Sequence, residues 1–253
     1  MRVKLMGYNI RHGLGCDGRL DLERIARVIE REAPDLVGLN EVDVRFHRRS
    51  AFTDQLGWLA ERLGMESLFG PAIRHTEVAG ETAGYGNGLL FKGEVHHVRN
   101  RRVERRGEEP RALLVAEWIP PGETVSIRVV VTHMGLNPWM RRQQVDLLLE
   151  ECRDPAQPVV ALGDWNVTPR RPAVTRLAPF LLDTLGESGV SASTYPCPSP
   201  RKRIDYIFCS RHFHRETASV VVTPGCPSDH LPVLSVLNWK SEKEPEFAPP
   251  DSL

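Results

Sequence analysis

The chain carries no net charge: its 33 Lys and Arg are matched by 33 Asp and Glu. No global field draws it onto nucleic acid or an anionic membrane, although a local basic patch stays open. It contains no Cys-x-x-Cys, and its cysteines, Cys16, Cys152, Cys197, Cys209 and Cys226, are odd in number. That argues against a disulfide framework or a zinc ribbon, so reduced thiols in a cytoplasmic protein are expected. No stretch is long and apolar enough to span a bilayer. Residues 1–10 lack a long apolar segment and a small-residue cleavage site, so they read as a first strand and not as a signal peptide. Lysine is confined to positions 4, 92, 202, 240 and 243, which leaves arginine as the main basic residue. The guanidinium fork suits phosphate oxygens, although a solvated surface is the ordinary place for any one Arg.

What is present is ordinary for a globular protein, with 41% hydrophobic and 26% charged residues in 253. Short strands are expected at residues 3–6, 36–39, 88–91, 111–118, 125–132, 158–162, 204–209, 218–222 and 231–237. Helices are expected at 22–32 behind Asp21 as N-cap, at 53–63, at 140–152, and in part over 173–185 despite Pro179. Residues 74–86 read as a polar, glycine-containing loop. Strands occur both in series and alternating with helices, which points to two packed sheets with helices outside. No internal linker or repeat interrupts residues 1–240, so one domain is expected. Residues 241–253, rich in Pro, Glu and Lys, read as a disordered tail.

The chemistry-bearing residues gather at turn-forming positions beside the short apolar runs. Gly163-Asp164-Trp165-Asn166 follows one run, and Ser228-Asp229-His230 precedes another. Loops at strand ends are where a rigid sheet can aim side chains into a cleft. Two carboxylates, an amide and a histidine are the inventory of metal-assisted phosphoester hydrolysis: oxygen ligands for a hard cation, a group to orient water, and a cation or proton donor for phosphoryl oxygens.

In chain order the loop motifs are Tyr8-Asn9-Ile10-Arg11, Leu39-Asn40-Glu41-Val42-Asp43, Tyr85-Gly86-Asn87-Gly88, Thr132-His133-Met134-Gly135-Leu136, Gly163-Asp164-Trp165-Asn166, Arg203-Ile204-Asp205-Tyr206-Ile207 and Ser228-Asp229-His230-Leu231-Pro232. Each alone is weak. Seven in this order resemble the endonuclease/exonuclease/phosphatase superfamily, which has the pancreatic-deoxyribonuclease-like fold, and the likeness runs from Met1 to about Leu237. The intervening residues, including Arg141 to Gln144, look most like its small bacterial members. Departures fall beside the presumed ligands: Asn40 stands for the usual Gln, Trp165 for Phe, and Gly88 for Ala or another small residue.

The resemblance implies an α/β four-layer sandwich, two packed mixed β-sheets flanked by helices, and a divalent-metal-dependent phosphoesterase using Mg²⁺, with Mn²⁺ as the alternative. It implies metal contacts at Glu41, Asn9 and Asp229. Asp164, Asn166, His133, Asp205 and His230 become the catalytic set. Asp205 is expected to raise the His230 pKa and fix its tautomer, while the carboxylate partner of His133 stays open, as does the choice between Asp164 and His230 as activator of water. Tyr85 and Asn87 would contact phosphate or lie just behind it. The expected reaction is in-line attack of water on a phosphodiester. Competing expectations are a repair-type DNA nuclease, a phospholipid or phosphoinositide head-group phosphoesterase, and a non-catalytic binding module. Partners are thus a phosphoester substrate, with nucleic acid a candidate, and no stable membrane anchor. The basic run 99–106 lacks stacking aromatics and is interleaved with Glu, which favours a solvated hairpin face.

Overall fold

A computed structural model describes residues 1–78, 81–186 and 192–240, so the tail expected at 241–253 lies outside the described residues. Along the chain run β1 (Arg2–Asn9), α1 (Leu22–Glu32), β2 (Leu36–Val44), α2 (Gln55–Leu63), β3 (Glu66–Val78), β4 (Glu81–Phe91), β5 (Glu94–Val103) and β6 (Arg111–Ile119). Then come β7 (Ile127–Thr132), α3 (Pro138–Glu151), β8 (Val159–Asp164), α4 (Pro172–Thr175), β9 (Leu181–Asp183), β10 (Asp205–Ser210), β11 (Phe213–Val220) and β12 (Val233–Trp239). They form two six-stranded sheets, ordered β11-β12-β1-β2-β4-β3 and β5-β6-β7-β8-β10-β9. No helix among the described residues is long and apolar enough to cross a membrane.

Period-two alternation explains how each sheet serves two cores. Val3 and Leu5 of β1 point between the sheets, where they join Val129, Val131, Val160 and Leu162. Their neighbours Met6 and Tyr8 point the other way, against Ile25 and Ile29 of α1 and Leu56 and Leu59 of α2. In the second sheet Val130, Ala161 and Phe208 pack outward on Val145, Leu148 and Val174 of α3 and α4. The result is the expected four layers. Each fully buried aliphatic contributes about 1.5–3 kcal/mol relative to exposure.

Both sheets have one parallel pair at their centre. β1 and β2 run parallel up to the Asn9↔Asn40 register, and β7 and β8 run parallel up to Val131↔Leu162. β10 lies antiparallel to β8 with Asp205 opposite Asp164, and β12 lies antiparallel to β1 with Val233 opposite Gly7. The ends of β1, β2, β7 and β8, and the starts of β10 and β12, therefore meet at one edge of the sandwich. The Tyr85–Gly88 motif lies within β4 and Leu39–Asp43 within β2; every other motif sits at one of those strand ends or in a loop beside it.

Two expectations need correction and a third is narrowed. Residues 74–78 and 81–86 are not loop: they belong to β3 and β4, which pair antiparallel, with His75 opposite Ala83 and Gly70 opposite Asn87. The partial helix expected within 173–185 is narrowed to α4, which stops at Thr175, and the segment continues to β9, paired with β10. The thiols are not all reduced, because Cys197 and Cys226 form a disulfide with Cα atoms 5.9 Å apart, while Cys16, Cys152 and Cys209 take part in no disulfide. Their partnership arises from two loops that meet only in the folded chain, so no sequence spacing announces it. The basic run 99–106 covers the last part of the edge strand β5 and the turn beyond it. Three of its cations are paired with acids: Arg99 meets Glu151 at 2.8 Å, Arg101 meets Glu150 at 2.7 Å, and Arg102 meets Glu104.

Candidate active site

The site is built on two local irregularities. In the β2–β4 ladder, Leu39 pairs with Gly88 and Val42 with Gly86, so Asn40 and Glu41 together face Asn87 alone. This is a β-bulge, which re-aims side chains at the end of a pairing. Glu41 adopts a left-handed backbone, φ 58°, and Asn40 is fully buried while Glu41 is partly exposed. The second irregularity is Gly163, φ 140°, where a Cβ would penetrate the carbonyl oxygen of Thr132. Only glycine lets β8 come this close to β7 and still deliver Asp164.

Asn40 joins the two sheets. Its Oδ1 accepts from the Asp164 N–H at 2.8 Å, and its Nδ2 donates to Asn87 Oδ1 at 2.8 Å and to the Thr132 carbonyl at 3.1 Å. Asn87 donates in turn to the carbonyls of Ala112 and Val131, at 2.9 and 3.3 Å. Asn87 is therefore an internal strap that positions Asn40, with its amide turned away from any ligand. Tyr85 is also buried, under the Arg49 guanidinium at 5.1 Å, and that guanidinium pairs with Asp43 at 2.7 Å.

Asp164 is the point of convergence. Its Oδ1 accepts from the Asn166 N–H at 2.9 Å, and its Oδ2 accepts from Asn9 Nδ2 at 3.1 Å. Around the same Oδ2 lie His133 Nε2 at 3.5 Å and His230 Nε2 at 3.7 Å. The partner of His133, left open by the sequence, is thus Asp164. Asn9 Nδ2 also donates to Glu41 Oε1 at 3.0 Å, which bridges the two carboxylates. Asn166, φ 52°, donates its amide to the Met134 carbonyl at 2.9 Å.

His230 is clamped from several sides. Its Nδ1 lies 3.1 and 3.0 Å from the two Asp205 oxygens, and its ring meets Tyr195 at 4.8 Å between centroids. The Ser228 hydroxyl donates to the Asn9 carbonyl at 2.7 Å and accepts from the His230 N–H at 3.2 Å. The Asp229 carboxylate lies 3.7 Å from the Arg11 guanidinium, and the Asp229 carbonyl accepts from the Cys197 N–H at 2.8 Å. The Cys197–Cys226 bridge therefore fastens both loops that frame His230.

Electrostatics divide the two histidines. Burial works against a charged His230, but the charge and hydrogen bond of Asp205, with Asp164 and Asp229 beyond, outweigh it and raise its pKa. His133 is held well below the ordinary histidine value, first by burial and then by the charges of Arg111 and His230. Burial, and then the neighbouring Asp205, push the Asp164 carboxyl up, opposed by His230, the Asn166 N–H and Asn9. The arrangement thus favours an imidazolium at His230 and a neutral imidazole at His133, and sets between them a carboxyl whose pKa is raised to about 7.

Arg111 was not anticipated. It is 7% exposed, it touches Glu109, and its Nε has no hydrogen-bond partner. A charge that opens an otherwise apolar strand was its only signal in the sequence. Two groups of residues could hold a metal. One is the Glu41 carboxylate, oriented by the Asn9 amide nitrogen while Asn9 Oδ1 accepts from the Arg11 N–H, with Asp229 on the loop whose Ser228 binds the Asn9 carbonyl. Glu41 has no basic side chain within salt-bridge distance among the described residues. The other is Asp164, Asp205 and His230, which offer ligand atoms all within 4.8 Å of one another. This second set is already satisfied by its own hydrogen bonds. The Glu41 carboxylate accepts only the Asn9 bond among the described residues, so its donor chemistry fits a hard divalent cation better.

With this geometry in hand, the chain can be set beside known proteins. The sequence model of the Endonuclease/Exonuclease/phosphatase family matches residues 6–230. Escherichia coli (strain K12) YbhP is 25% identical over 247 residues, covering 93% of this chain and 96% of that one. An endonuclease/exonuclease/phosphatase from Beutenbergia cavernae superposes with TM-score 0.80 at 26% identity, covering 94% of this chain and 72% of its own. The mannosyl-6-phosphatase of Bacteroides thetaiotaomicron superposes with TM-score 0.75 at 18% identity, over 94% of this chain and all, 100%, of its own.

Proposed function

We propose that this chain, which belongs to the endonuclease/exonuclease/phosphatase family, is a divalent-metal-dependent phosphoesterase that hydrolyses a phosphodiester by direct attack of water. Members of that family are hydrolases acting on phosphoesters. The observation that carries the reading is the convergence on Asp164 Oδ2 of Asn9, His133 and His230, residues from opposite ends of the chain and from both sheets.

The residues divide the work. Asp164, whose Oδ2 lies within 4 Å of both imidazoles, accepts the proton of the attacking water. His230, kept cationic by Asp205, cannot be that base; it donates to a phosphoryl oxygen and offsets the charge that builds there. Arg111, with an unsatisfied Nε, adds a second cation on the His133 side. Neutral His133 donates a hydrogen bond to the leaving oxygen, and Asn166 offers the amide hydrogen that Met134 does not take. Glu41, helped by Asn9 and Asp229, would hold Mg²⁺ or Mn²⁺. Such an ion, when bound, polarises a non-bridging oxygen or steadies the leaving group. A silent binding module has no need of this complete set, which weighs against that alternative.

The test is hydrolysis of bis-p-nitrophenyl phosphate, with p-nitrophenyl phosphate beside it to separate diester from monoester activity. Activity with Mg²⁺ or Mn²⁺ should vanish in EDTA, and Asp164→Asn should lower kcat by about 10²–10⁴-fold. Full activity in Asp164→Asn removes its role as base, and inactivity on every phosphoester removes the enzyme reading.

A further inference from the structure

A cavity of about 960 Å³ opens beside the catalytic set, with Asn166 in its wall. It lies between the start of α3, the loop after β8 and the segment entering β10. Its apolar lining includes the buried Val145, Val167 and Ile204. Its rim is basic: Arg141, Arg142, Arg171, Arg176 and Lys202 all border it. Only part of this charge is answered within the protein. Arg176 pairs with Asp146 at 2.6 Å, and Arg141 donates to the carbonyls of Gly135 and Leu136. Arg142, Arg171 and Lys202 have no acidic partner within 4 Å among the described residues. Burial, and then the charge of Arg171, lower the pKa of Arg141, so two guanidiniums sense each other across this wall.

That pattern differs from a solvated charged face. The edge strand β5 shows the solvated kind, with Arg99 and Arg101 answered by Glu151 and Glu150. Here the cations ring a concavity in a chain of zero net charge, and the concavity reaches Asn166. Low-dielectric walls around like charges focus a field that draws in anions. Arginine forks suit phosphate oxygens, and Lys202 adds a point charge. We infer that this cavity is a subsite for a second, non-reacting phosphate, so the preferred substrate carries at least two phosphate groups joined by an organic skeleton that lies along the apolar wall. This rests on the phosphoesterase reading of the Asp164 site.

The test compares the wild type with a variant carrying Arg142→Gln, Arg171→Gln and Lys202→Gln together. All three side chains are exposed. One arm uses the dinucleotide TpT with and without terminal phosphates, and the other uses the small diester glycerophosphoinositol with and without a phosphate on the inositol ring. In at least one arm the wild type should favour the extra phosphate by about ten- to a hundredfold in kcat/KM, the range expected of charge-assisted contacts. The variant should bring that ratio close to one. A gain in the first arm assigns a nucleotide chain as the source of the phosphate, and a gain in the second assigns a small bisphosphate. No preference in either arm, or a preference that survives the triple substitution, overturns the proposal. Calorimetric titration with inorganic pyrophosphate in metal-free buffer supplies an independent readout. Binding that falls at least about tenfold in the variant sustains the subsite even if no phosphoester is hydrolysed. Equal binding by both proteins overturns the subsite and leaves the phosphoesterase reading untouched.

Discussion

Asn40→Ala removes the amide that links both sheets to the site. In the wild type this side chain satisfies the Asp164 N–H, Asn87 Oδ1 and, in part, the Thr132 carbonyl, all in a fully buried setting. Alanine leaves at least the first two without a partner and with no water to replace it. Each orphaned buried group costs about 1–3 kcal/mol, so the loss should be roughly 2–6 kcal/mol. That is a large share of the roughly 5–15 kcal/mol by which a domain is stable. Urea unfolding tracked by tryptophan fluorescence suits the measurement, because Trp118 and Trp165 are fully buried. The midpoint should fall with an unchanged slope. Activity should fall further than stability alone requires, because a small displacement of Asp164 is enough to lose about 10²-fold. Asn87→Ala supplies the control: in that background one of the orphans no longer exists, so Asn40→Ala should be milder by about 1–3 kcal/mol. A loss below about 1 kcal/mol in the wild-type background, or strict additivity of the two substitutions, would refute the bridge.

Other perturbations reach the site by different routes. Gly163→Ala should destabilise by about 2–6 kcal/mol and depress kcat, since backbone strain adds to a clash with Thr132; an ordinary urea midpoint would refute the close approach. Cys226→Ser, or reduction, should lower stability by about 3–4 kcal/mol, from the loop entropy of a 29-residue separation, and should lower kcat/KM because the bridge frames His230. An unchanged midpoint with and without reductant would show that the bridge contributes nothing. Glu41→Gln should weaken divalent-metal affinity about tenfold or more, read from the metal dependence of hydrolysis; an unaltered dependence moves the ion elsewhere.

Much of this was legible in the sequence, for identifiable reasons. Helix α1 could be read because Leu22, Ile25, Ala26 and Ile29 keep the helical period behind Asp21, whose side chain does accept from the Arg24 N–H. The Asp205–His230 pair was legible as two motifs, and the structure brings them within 3.0 Å. The β3–β4 pairing was not, because Gly84 and Gly86 imitate loop signals. At Gly86 a Cβ would run into the Gly70 carbonyl of the paired strand, so that glycine marks a close approach inside a ladder. The sequence left Asn87 between contacting phosphate and lying just behind it, because its partners, the carbonyls of Ala112 and Val131, belong to the other sheet. Arg111 resembled any strand-end charge until burial distinguished it. The Cys197–Cys226 pairing depends on the meeting of two loops, which local spacing does not encode.

Anomalous diffraction from crystals soaked in Mn²⁺ and inorganic phosphate tests the central claim most directly. The account predicts a manganese peak at the Glu41 carboxylate, with phosphate seated between that ion and the imidazoles of His133 and His230. A peak held instead by Asp164, Asp205 and His230, or no ordered manganese at this edge of the sandwich, would contradict it.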